Sequence, residues 1–300
     1  MVSSPVLAST WEFTAIGTRW RIDTAAPLDA AVIAAIDAVI ERFDREWSRF
    51  RGDSIVSVLA AGGGPVPLPP DGAAMLDLYA ELADRTGGAV NPLVGGALVR
   101  RGYGADYSII DRGAEPAPPR WRELLHWTDG VLALDAPATI DVGALGKGRL
   151  VDVVGEVIAA ASTGPFVVDA SGDLVVRGFA ERGLTERVAL EHPNDPRRAI
   201  GVWEVTDGAL CGSAVNRRAW PGADGGGLHH VLDARTGEPV RTIAATWAQA
   251  SDAMTADAAA TALFFEGGER FAADYDAQWV RMSTDGRVEW SRECTAELFT

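Results

Sequence analysis

Two cysteines among 300 residues, Cys211 and Cys294, leave no basis for a disulfide framework. With no C-x-x-C pair and no Cys/His cluster, a zinc site is not indicated either. Positive charge is scarce too: 27 Lys and Arg stand against 42 Asp and Glu, for a net charge of −15 and a pI near 4.7. Such a chain has no basic field to attract nucleic acid or an anionic membrane at long range. A phosphate-bearing ligand must therefore be held locally, by a metal, backbone N–H groups or a few placed cations. No run of 18 apolar residues offers a membrane span, so no membrane insertion is expected. The opening MVSSPVLASTWEF lacks a basic region, a long apolar core and a lipidated-Cys pattern, which makes a cytoplasmic location the expectation.

What is present is an ordinary globular balance, 47% hydrophobic and 23% charged. Residues 11–23 alternate loosely and read as a strand. Leu28, Val32, Ile36, Val39, Phe43 and Trp47 recur at helical spacing. The loop AGGGPVPLPPDG separates that helix from a second near 71–86, striped by Met75, Tyr79 and Leu82 and stopped by Gly87-Gly88. Residues 111–121 and 221–227 read as loops. VLALD, TIDVG, FVVDA and LVVRGF read as short strands. Helices fit 147–161 and 252–265, and strands fit 278–282 and 287–290. Hairpins mixed with packed helices imply α+β, and no linker divides 1–300, which reads as a single domain.

Four segments could carry chemistry. In TIDVGALGKGRLVD, three glycines within six residues lead through Lys147 into a helix, a setting in which backbone amides and the helix dipole favour an anion. A tight turn with a solvated lysine explains the spacing equally well. In SDAMTADAAATALFF, Asp257 and Thr261 are four apart and share one helical face. That pair can offer two hard oxygens to Mg²⁺, which keeps waters and borrows phosphate oxygens. An Ala-rich core helix capped by Ser251 or Asp252 is the plain alternative. In HHVLDARTG, a histidine suits proton transfer or phosphate binding, while Asp233 and Gly237 suit a turn. On an extended strand His229 and His230 point to opposite faces. In FVVDASGDLVVRG, D-A-S-G-D reads as a hairpin turn with structural use.

Taken in order, these segments resemble the FAD:protein FMN transferase family, long known as ApbE. IDVGALGKGRLVD is close to D-L-G-[GA]-[IL]-[AG]-K-G-x-x-x-D. HHVLDARTGEP is close to H-H-I-[IL]-D-P-[RK]-T-G-x-P, and ADAAATALF to A-D-[AG]-[LW]-[AS]-T-[AT]-L-F. Ile16-Gly17-Thr18 resembles M-G-T, Ser48-Arg49-Phe50 resembles S-x-[YF], and Gly87 to Pro92 resembles G-x-F-D-P. Asn91, Ile16, Ala234 and Ser171 depart from the usual Asp, Met, Pro and Gly.

The resemblance implies a mixed or antiparallel, T-fold-like architecture and Mg²⁺-dependent transfer of FMN from FAD to a Ser or Thr of an acceptor flavoprotein, releasing AMP. FAD pyrophosphatase activity or non-catalytic flavin binding are the alternatives. It also implies Mg²⁺ at Asp257, Thr261 and the Ala144 carbonyl. The flavin nucleotide would lie against Ile16, Phe50, Asn91, Lys147 and His230, with His230 and Asp257 catalytic.

Overall fold

The computed structural model describes residues 7–105, 108–223 and 226–299. Its centre is an eight-stranded sheet in the order Ser9–Ala15, Thr18–Thr24, Phe166–Asp169, Asp173–Arg177, Gly208–Ala214, Ile243–Ala250, Gln278–Ser283, Val288–Trp290. Every neighbouring pair is antiparallel. Side chains alternate across it with the two-residue strand period. Phe166, Val168 and Val175 face one core, and Val167, Leu174 and Val176 face the other.

The first core is covered by helices α1 (Ala30–Trp47), α2 (Ile55–Ala60), α3 (Gly72–Arg85), α5 (Gly146–Ala161), α6 (Ala253–Ala262) and α7 (Gly268–Asp274), while α4 (Gly95–Arg100) packs Ala97 and Leu98 on Leu232 in a small cluster of its own. The stripe in α1 buries Ile36, Ile40, Phe43 and Trp47. The second core is closed by the small sheet of Glu186–Glu191, Ala199–Val205 and Glu297–Leu298, which contributes Leu190, Trp203 and Val205. This is the expected α+β class. No helix among the described residues is long and apolar enough to cross a membrane.

Three local readings change. Residues 11–23 form a hairpin, because Ala15 pairs with Thr18 across a two-residue turn. Ile16 and Gly17 both have positive φ, 45° and 72°, as that turn type demands. A β-branched residue is costly there. TIDVG is a loop, because its polar groups are claimed from outside any ladder: Asp141 N donates to Pro92 O at 2.8 Å, and Asp141 Oδ1 accepts from Gly143 N at 2.8 Å. The helix expected at 252–265 closes earlier, at Ala262, and a further short helix, Gly268–Asp274, follows it from Gly267, whose φ is 87°. The loop expected at 221–227 lies partly outside the described residues; its ends pair as strands Ala219–Pro221 and Gly227–His229.

Candidate functional site

Where α5 begins, it meets α6 almost backbone to backbone. A Cβ on Gly148 would stand 2.1 Å from Ala253 O and 2.8 Å from Asp257 Cβ, so only glycine fits. Gly148 N donates to Asp257 Oδ2 at 2.9 Å, which ties the carboxylate of α6 to the first turn of α5. The preceding loop is pinned from below by Tyr79, 1% exposed. Its hydroxyl donates to Asp141 O at 3.0 Å and accepts from Ala144 N at 3.1 Å. The Ala144 peptide is thereby fixed on a hydroxyl that also feels the charge of Asp257, while Thr261 sits one turn further along α6, half-buried.

Around Asp257 lies a buried group of carboxylates. Asp173, 1% exposed, pairs through Oδ2 with Lys147 Nζ at 2.8 Å. Asp152 caps α6, accepting from Ala253 N and Met254 N at 2.8 Å each. Burial, reinforced by Asp173, pushes the Asp257 carboxyl well above the usual carboxylate range, against the pull of Lys147 and the Gly148 amide. Burial also raises Asp152 to about 6. Lys147 is itself desolvated, yet Asp173 and Asp257 hold its ammonium above the ordinary lysine value. Asp173 and Asp152 both act on Asp257 and Lys147 offsets them only in part, a setting suited to a further cation. No group of three or more His, Cys, Asp or Glu forms a metal cage among the described residues. Asp257, Thr261 and the Ala144 carbonyl could offer one carboxylate, one hydroxyl and one backbone oxygen, hard donors of the kind Mg²⁺ takes when water and ligand phosphate complete its shell.

His229 ends a strand and turns inward, where its Nε2 lies 2.8 Å from Val240 O and its Nδ1 accepts from Val231 N at 3.3 Å. His230 follows in a bend, so the two-residue alternation of a strand does not extend to it. Its ring reaches the Arg218 main chain, and its buried Nδ1 has no partner. Burial first, then Arg218, His229 and Lys147, lowers His230 to about 4. It is therefore neutral at pH 7, a weaker base than a free imidazole but with its Nδ1 unclaimed.

Phe50 stands edge-on to Tyr103, ring centroids 5.4 Å apart, with Arg49 Cζ 4.2 Å above its face. The Ile16–Gly17 turn comes near the same place: a Cβ on Gly17 would be 3.9 Å from Arg218 Nη2. Asn91 is different. Its Nδ2 donates to Pro118 O at 3.0 Å and its Oδ1 accepts from Leu93 N at 2.9 Å. An amide is needed here because an aspartate has no N–H for the Pro118 carbonyl. Both ends of this buried side chain are spent on the backbone, while Pro92 beside it holds Asp141.

Asp257, Ala144, Lys147 and His230 thus gather near one loop, with Ile16 and Phe50 flanking and Asn91 supporting from beneath. Sequence reasoning gave Asp173 only a turn role, and the D-A-S-G-D hairpin does form, with Ser171 and Gly172 at positive φ. The turn's second aspartate faces Lys147 at the start of α5, a contact that strand pairing alone does not reveal. Tyr79, Asp152, Arg49 and Arg218 were also missed. Tyr79 looked like one more core position of its helix; its hydroxyl was the only hint.

Proteins of known kind resemble this chain. A Treponema pallidum (strain Nichols) protein named FAD:protein FMN transferase is 28% identical over 291 residues, covering 86% of this chain and 78% of its own length. One from Rhodobacter capsulatus with the same name is 26% identical over 303 residues; 95% of this chain matches, against 57% of the relative. Among solved structures, an ApbE protein of Thermotoga maritima superposes with a TM-score of 0.83 at 22% identity, over 95% of this chain and 97% of that one. The flavin transferase ApbE of Vibrio cholerae gives 0.76 at 22% identity, over 95% and 97%. The sequence profile of the ApbE family matches residues 16–279, a span that takes in every element of the site from the Ile16 turn to Thr261, and the chain belongs to that family.

Proposed function

We propose that this chain, acting as one unit over residues 1–300, transfers FMN from FAD to a Ser or Thr hydroxyl of an acceptor flavoprotein, with Mg²⁺ as cofactor and AMP as the second product. The observation that carries the reading is the buried Asp257, tied to the Gly148 amide, with Thr261 on its face and an excess of carboxylate around it. The relatives named FAD:protein FMN transferase support the same chemistry.

Asp257, Thr261 and the Ala144 carbonyl would hold Mg²⁺, which when bound supplies Lewis acidity and neutralises charge on phosphate oxygens. The chain's own residues do the rest. The start of α5 offers an anion-favouring helix end. Tyr79 keeps the Ala144 peptide in one orientation through its two hydrogen bonds. His230, neutral at pH 7 with Nδ1 unpaired, takes the proton of the acceptor hydroxyl. The hydroxyl oxygen then bonds to the FMN phosphorus as the bond from that phosphorus to the AMP oxygen breaks.

The test is incubation with FAD and Mg²⁺, with and without an acceptor peptide. FMN-peptide and AMP appearing together, only with peptide present, is the expected result. Asp257→Asn should nearly abolish it while circular dichroism stays native. AMP released equally without peptide would make the chain a hydrolase, and an Asp257→Asn variant at wild-type rate would overturn the metal assignment.

A further inference from the structure

Close to His230, in a chain of net charge −15, two guanidinium groups lie near each other. Arg49 is 8% exposed. Its Nε pairs with Asp141 and its Nη1 donates to Tyr103 O at 2.7 Å, but its Nη2 is buried with no partner. Arg218 is half-buried and forms no ion pair among the described residues; its Nη1 donates to the Tyr103 hydroxyl. Burial, then the charge of Arg49, lowers the Arg218 pKa. Arg49 and Arg218 lie over the Tyr103 ring at 4.9 and 5.6 Å from its centroid, and Tyr103 stacks on Trp220 at 5.4 Å.

Asp141 neutralises Arg49 in part, but the Arg218 charge has no carboxylate partner among the described residues and the buried Arg49 Nη2 has no acceptor, and both needs are met if an anion joins them. Arginine's planar fork suits phosphate. Lys147, the other cation near His230, is already paired with Asp173. The pair is anchored to the loop that carries Ala144 through Asp141, and to His230 through the Arg218 main chain. Resting on the flavin-nucleotide reading above, we infer that Arg49 and Arg218 form the phosphate clamp of this site. They recognise the phosphate-bearing part of the nucleotide and position it beside His230, while Lys147 mainly neutralises the buried acids.

Titrations of the full chain with FAD, FMN and riboflavin, for wild type and Arg218→Gln, test this. Gln preserves a donor for Tyr103 but removes the charge. The expected result is a loss of roughly 10- to 100-fold for FAD and FMN, the range of a charge-assisted hydrogen bond, with riboflavin affinity unchanged, a weaker salt dependence and partial rescue by Arg218→Lys. Equal losses for riboflavin and FMN would mean that Arg218 only shapes the pocket, and would overturn the clamp. Unchanged FAD affinity with a raised KM for the acceptor peptide would assign the pair to acceptor carboxylates, and would overturn it equally. If wild type binds none of the three flavins, the flavin reading itself fails, and the clamp is judged on inorganic pyrophosphate alone: binding lost in Arg218→Gln supports it, binding retained or absent refutes it.

Discussion

Removing the ammonium of Lys147 should expose how much of the site is structural. In Lys147→Met, Asp173 keeps a side chain that is 1% exposed and loses the partner at 2.8 Å. What remains is a long contact from Gly212 N at 3.3 Å and a second buried carboxylate, Asp257, nearby. Breaking one side of a buried ion pair costs about 3–5 kcal/mol. Lys147 is 31% exposed on its side chain, so water can enter its place, and the lower end, about 3 kcal/mol, applies here. The measurement is urea unfolding at pH 7 without flavin or metal. Lys147→Met/Asp173→Asn should recover most of the loss, because the stranded charge is gone. A single variant that unfolds within about 0.5 kcal/mol of wild type, a difference typical of neutral surface substitutions, would refute the buried-pair argument and leave Lys147 as a solvated lysine.

His230→Ala should slow single-turnover FMN transfer by roughly 10²–10⁴ with little change in FAD affinity, whereas His229→Ala, which strands the Val240 carbonyl, should cost stability of about 1–3 kcal/mol more than rate. Because His230 is lowered to about 4, its own protonation should slow transfer only near 4; a limb near 6 belongs to the buried Asp152 carboxyl and should move in Asp152→Asn, and a limb at 6.5 unmoved by that variant would count against His230 as the base. The same lowering makes the folded state lose stability relative to the unfolded chain as pH drops from about 6.5 towards 4, since the unfolded histidine takes up the proton first. Gly148→Ala should destabilise by about 1–3 kcal/mol through the clash with Ala253 O and push α6 away from α5; thermal unfolding unchanged from wild type would show that the two helices part without cost.

Much of this protein is determined by local pattern. The apolar stripe of α1, the stop at Gly87 and Gly88, the D-A-S-G-D hairpin and the Asp233 turn all depend on contacts within a few residues, where periodicity and backbone preference act directly. In that turn Asp233 Oδ1 accepts from Arg235 N at 2.9 Å and Gly237 has a φ of 72°. The i, i+4 spacing of Asp257 and Thr261 likewise followed from helical geometry alone. The tertiary structure decided what those residues face. TIDVG has the composition of a strand, but Tyr79, Pro92 and Arg49, from three other elements, claim its polar groups and make it the loop that presents Ala144. Asn91 had the position of a ligand contact, yet Pro118 and Leu93 occupy its amide. Lys147 and Asp173 are 26 residues apart and Arg49 and Arg218 169 apart, as their numbers show, and no periodicity links such positions. Charges meet at that range only because the sheet and the helices packed on it bring them together, and burial then fixes which are paired and which are left to meet a ligand.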